Sequence, residues 1–139
     1  MTDAIRRELK FPQPPEAVWR ALTNSAALAE WMYPNDFEPR VGHHFTFRVP
    51  PKPHLEDGLI VQCEVLKCVP PSELVFTWVV SNFLNTRVSY RLEADGDGTR
   101  VLFEHTGFEH KGARTGAEYG WNVMHGQLSE ALTSQRSSR

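Results

Sequence analysis

Apolar positions recur along this chain with two different periods, and the change from one to the other divides it into elements. From Gly112 to Ser134 the step is three or four. Ala117, Trp121, Met124, Leu128, Ala131 and Leu132 share one stripe, as on an amphipathic helix of several turns. Upstream the step is mostly two. Ile5, Arg7, Leu9 and Phe11 lie on one side of a first strand, Ala4 to Phe11, which Pro12 ends. Phe45, Phe47 and Val49 form one face of a second, broken by Pro50, Pro51 and Pro53 ahead of the turn signal Asp57-Gly58. Leu59 to Val69 sets Val61, Cys63 and Val65 on one face and stops at Pro70-Pro71. Leu74, Phe76 and Trp78 alternate next, then Val88, Tyr90 and Leu92, then Val101, Phe103 and His105. The last two runs flank Asp95-Gly96-Asp97-Gly98, residues that tolerate the positive φ of a tight hairpin.

The segment between the first two strands reads as helix. Pro14 and Pro15 suit a first turn, and Glu16 complements its positive end, so a short helix over Pro15 to Leu22 buries Val18, Trp19 and Leu22. Asn24 or Ser25 caps a second, through Ala26, Leu28 and Trp31, which Pro34 stops. The expected fold is therefore α+β: a curved antiparallel sheet of about six strands wrapped on the long C-terminal helix, with two short helices after the first strand. A length of 139 residues with 40% hydrophobic content suits a single domain over residues 1–139, with a frayed tail from Thr133 to Arg139.

Composition excludes more than it selects. Fifteen Lys+Arg against 17 Asp+Glu leave a net charge of −2 without a basic run, so neither nucleic acid nor an anionic membrane is an expected partner. No apolar run approaches the roughly 20 residues of a membrane span, and Met1-Thr2-Asp3 opens no signal peptide, which points to a soluble cytoplasmic protein. Cys63 and Cys68, five apart on one strand, should lie about 16 Å apart on opposite faces and cannot pair.

The inward positions are bulky: Phe45, Phe47, Phe76 and Trp78 from the central strands, Tyr90 and Phe103 from the last two, Trp121 and Met124 from the long helix, with Trp31 from the second short helix. Such rings either fill an aromatic core or line a ligand cavity that a curved sheet leaves against its helix. His105, on the inward face of the last strand, and His125, about 40° from Trp121 on the helical wheel, are the polar candidates within that space. His43 and His44 point apart as strand neighbours, and His105 with His110 has no metal-ligand spacing, so no metal or other cofactor is expected. A G-x-S-x-G elbow, a phosphate loop, H-E-x-x-H and a dinucleotide fingerprint are all missing from the sequence, and no catalytic residues are assigned.

The strings "PPEAVWRALTNSAALAEWM", "VPPSELVFTW", "DGTRVLFEHTGF" and "GWNVMHGQLSEAL", with "VG" before an aromatic strand, resemble the START-related helix-grip superfamily, also called SRPBCC. Within it they are most similar to homologues of the activator of the ninety-kilodalton heat-shock protein ATPase. The resemblance implies a β-α-α-β-β-β-β-β-α chain whose last helix closes an apolar cavity. Its members include lipid and hormone carriers, polyketide cyclases and the chaperone activator, so the fold does not choose among activities. The eukaryotic activator carries a further N-terminal domain, whereas this sequence opens on the first strand. Non-enzymatic binding of a small hydrophobic molecule is accordingly the leading expectation. Chaperone or homodimer contact through Tyr119, Val123 and Phe83-Leu84 comes second, and a cyclase-like enzyme using His105 or His125 with Tyr90 third.

Overall fold

A computed structural model describes residues 3–51, 53, 56–81, 84–109 and 111–137. Its elements are β1 (Asp3–Phe11), α1 (Pro15–Thr23), α2 (Ser25–Trp31), β2 (His44–Val49), β3 (Leu59–Val69), β4 (Glu73–Val80), β5 (Leu84–Asp95), β6 (Gly98–Phe108) and α3 (Lys111–Ser137). The strands form one antiparallel sheet in the order β1-β6-β5-β4-β3-β2. The chain thus lays down one edge, crosses to the other through α1 and α2, and meanders back until β6 pairs with β1. The expected α+β helix-grip architecture is the one observed.

Alternation decides which face is covered. In β4 every second residue from Leu74 to Val80 is buried, and β5 and β6 repeat the pattern with Val88, Tyr90 and Leu92 and with Val101, Phe103 and His105. The opposite face is polar and carries cross-strand ion pairs, Arg6 with Glu104 and Arg100 with both Glu8 and Glu93. The β5–β6 hairpin turns at Gly96, φ 62°, with Asp95 facing Gly98 across the strands. Gly98 admits no side chain, because a Cβ there would collide with the carbonyl oxygen of Phe11. Asn24 ends α1 and caps α2, its side-chain oxygen accepting from the Ala27 N–H at 2.9 Å. The Trp31 indole N–H donates to the Ala21 carbonyl at 2.9 Å and ties the two short helices together.

Two details depart from the sequence reading. A bulge between Val65 and Lys67 resets the alternation of β3, so Cys68 packs half-buried against the core instead of taking the face opposite Cys63. The backbone of α3 remains helical through Ser137, so the expected tail from Thr133 is helix over most of its length.

The stripe of α3 changes size along its length. Trp121, Met124, Leu128 and Leu132 are buried in its second half, whereas the first half offers the core only Ala113 and Ala117, with Gly112, Gly116 and Gly120 beside them. Large side chains seat the second half; small ones leave the first half standing over a gap.

Candidate functional site

That gap is an apolar cleft of about 820 Å³. Its sheet wall comes from Val49 of β2, Leu59 and Val61 of β3, and Trp78 and Val80 of β4, with Leu84 at the start of β5. Its helix wall is the first half of α3, from Gly112 and Ala113 through Gly116, Ala117 and Gly120 to Trp121 and Met124. Met32 and Tyr33, just after α2, close one end, and Tyr119, Val123 and Gln127 stand at the rim.

Of the residues singled out in the sequence, Trp78, Trp121 and Met124 line this cleft. Phe45, Phe47 and Phe76 form an edge-to-face cluster behind Trp78, with Phe47 and Trp78 centroids 5.6 Å apart. Tyr90 and Phe103 pack behind Trp121, and Trp31 lies 6.2 Å from His125. These rings are core: they fix the positions of the two indoles, which touch each other at 5.1 Å. The small residues of α3 are the part of the cleft missed in the sequence. Their signal was present, because Gly112, Gly116 and Gly120 fall four apart on a helix and so share one face.

His105 is wholly buried and fully paired. The Trp121 indole N–H donates to its Nδ1 at 2.8 Å, so the ring proton sits on Nε2 and is donated to Thr86 Oγ1 at 2.7 Å. The Thr86 hydroxyl in turn donates to the Trp78 carbonyl at 2.8 Å. Burial holds the His105 pKa down at about 3, and the chain of bonds runs between the two tryptophans of the cleft wall. His125, stacked on the other side of Trp121 at 5.4 Å, has Nε2 3.0 Å from the Tyr90 hydroxyl. Burial, helped by the Arg7 charge, lowers its pKa to about 4, while burial raises that of Tyr90 well above the usual phenol value. Neither ring lines the cleft, and neither is hydrogen-bonded to a carboxylate among the described residues. Burial also pushes the Cys63 thiol up.

Tyr119 and Val123 are exposed on α3, at 75% and 44%. Leu84 opens β5 on the cleft instead of standing in a loop, while Phe83 and His110 lie outside the described residues. Among the described residues no three His, Cys, Asp or Glu side chains are grouped to hold a metal ion, and no helix is long and apolar enough to cross a membrane.

A six-stranded antiparallel sheet gripping one long C-terminal helix, with two short helices after the first strand, defines the START-related helix-grip class. Residues 12–133 match the family model described as "Activator of Hsp90 ATPase homolog 1-like protein", and the chain belongs to that family. Among solved structures, it is similar to protein MLL2253 from Mesorhizobium loti, with 31% identity over 94% of this chain and 97% of that one and a TM-score of 0.85. CalU16 from Micromonospora echinospora shares the fold at 22% identity, 97% and 79% coverage and a TM-score of 0.79. DynU16, of the dynemicin biosynthetic locus, shares it at 20% identity, 96% and 48% coverage and a TM-score of 0.83. A search of curated proteins found no match.

Proposed function

We propose that the protein binds a small hydrophobic or aromatic molecule in the cleft between the sheet and α3 and does not transform it. The observation that carries this reading is the cleft itself. Its volume of about 820 Å³ falls within the range of roughly 300–1,000 Å³ typical of small-molecule sites, and its walls are mostly apolar. Trp78, Trp121 and Met124 would touch the ligand, and the rings behind them, from Trp31 to Phe103, would hold that wall in shape. His105 serves as a strut: with both nitrogens engaged it has no proton to exchange with a ligand.

The test is uptake of an environment-sensitive dye and its displacement by flat aromatic or acyl compounds. Gly116→Leu, whose Cβ meets nothing within 4 Å, should put its side chain into the cleft and abolish uptake without unfolding the protein. Equal uptake by the two proteins would refute the assignment.

One observation favours a second reading. The family takes its description from a chaperone ATPase activator, and the exposed Tyr119 and Val123 form an apolar spot on α3 that a protein partner could cover. Stimulation of the chaperone's ATPase without dye uptake would reverse the order of the two.

A further inference from the structure

The sheet wall of the cleft carries a single polar side-chain group among the described residues. Of Val49, Leu59, Val61, Trp78, Val80 and Leu84, only Trp78 has a donor, its indole N–H. The indoles of Trp31 and Trp121 are spent inside the protein, on the Ala21 carbonyl and on His105 Nδ1. Trp78 is held in place by other means. Its carbonyl accepts from Thr86, and its ring lies against Phe47, His105 and Trp121 with centroids 5.6, 5.9 and 5.1 Å away. The Trp78 N–H itself donates to no acceptor among the described residues. Nor is it sealed in. The unpaired side-chain atoms cut off from solvent are Gln13 Oε1 and His125 Nδ1, and the Trp78 nitrogen is not one of them. Trp78 is 8% exposed and borders the cleft but neither of the polar grooves beside Arg7, so the cleft is where its N–H is reached.

A nearly buried indole N–H normally has a partner, and the walls define what that partner is. Water fits badly, because a buried water is held by roughly 2–4 polar groups and this wall offers it one. A charged group fits worse. The described residues lining the cleft include no Asp, Glu, His, Lys or Arg, and its other polar side chains stand at the ends, Tyr33 after α2 and Tyr119 and Gln127 at the rim. A carboxylate brought to the wall would exchange its hydration for one neutral donor, which does not repay the desolvation of a charge. A carbonyl or ether oxygen on an apolar body loses far less water and gains its hydrogen bond.

We infer that the Trp78 indole N–H is the polar anchor of the cleft and donates to an uncharged acceptor oxygen, a carbonyl or ether, on a largely aromatic guest. This rests on the cleft being a binding site and adds which guests it selects. A hydrocarbon of the same shape would shut the donor away from water and leave it unpaired, and the site discriminates by that cost. The test sets 9-fluorenone beside fluorene, flat tricycles that differ in a carbonyl against a methylene, with 9-fluorenone-2-carboxylate as the charged control. Each competes with the environment-sensitive dye on the full chain. Fluorenone should bind about 5-fold more tightly than fluorene, and the carboxylate about 10-fold or more weakly than fluorenone. Trp78→Phe keeps a ring and removes the N–H, and should bring the fluorenone-to-fluorene ratio to 1 or below. Should that variant fail to fold, the wild type labelled with ¹⁵N in its indoles decides: the Trp78 indole proton should lie downfield with fluorenone bound relative to its position with fluorene. Equal affinities of ketone and hydrocarbon, the same Trp78 resonance with both, a ratio undiminished in Trp78→Phe, or a carboxylate bound as tightly as the ketone would each overturn the anchor while leaving the cleft a binding site. No dye uptake, with no Trp78 response to either tricycle, would overturn both readings together.

Discussion

Trp121 spans the core and the cleft, and its removal should be felt in both. Its ring packs on Trp78, Phe103 and both histidines, and its N–H is the donor to His105 Nδ1. Trp121→Ala should therefore cost on the order of 3–5 kcal/mol, against no more than about 0.5 for Glu130→Ala on the exposed side of α3, as read from urea midpoints. The histidines set the acid limit. Both folded-state pKa values lie below the ordinary 6.5, at about 3 for His105 and about 4 for His125, so the unfolded chain binds protons that the folded one refuses. Their contribution is complete above pH 6.5 and is lost as the pH falls from there toward 3, at roughly 1.4 kcal/mol per pH unit for each ring. Urea midpoints at pH 7.5, 6 and 4.5 should show that fall, and His125→Phe should make it shallower. The cysteines differ in access. Cys68, half-buried beyond the bulge, should react first and slowly with a thiol reagent, and Cys63 only on unfolding.

At the scale of elements, α3 sets stability against space. Gly112, Gly116 and Gly120 weaken a helix, and a methyl group at each meets nothing within 4 Å. Replacing any one by Ala should raise stability by about 0.5–1 kcal/mol while reducing dye uptake. A gain in stability with uptake unchanged would detach that glycine from the cleft. The same helix shows what the sequence could convey. Its stripe, the strand alternation, the Asn24 cap and the Asp95–Gly98 hairpin are local patterns, and each appears in the fold close to its expected bounds. The bulge after Val65 carries no comparable mark: Leu66 continues an apolar run whichever way the chain turns. The bulky inward rings were legible as inward positions. Which of them would border a cleft depends on how closely α3 approaches each strand, and the small residues opposite β3 and β4 decide that.

For the molecule as a whole, occupation of the cleft should add stability through linkage alone. A ligand at 100 times its Kd should raise the unfolding free energy by about 2.7 kcal/mol, seen as a concentration-dependent rise in Tm that Gly116→Leu abolishes. The change of side-chain size along α3 bears on time as well as on space. Its second half is anchored by Trp121, Leu128 and Leu132, each nearly inaccessible, while residues 112–120 touch the core through alanines alone. Amide protons in the first half should then exchange with solvent well ahead of those from Trp121 to Leu132, because opening there gives up little apolar burial. The helix would act as a door hung at its C-terminal end, and the rate at which a guest enters or leaves would follow the fraying of the two turns from Gly112 to Gly120, independent of how tightly the closed cleft holds it.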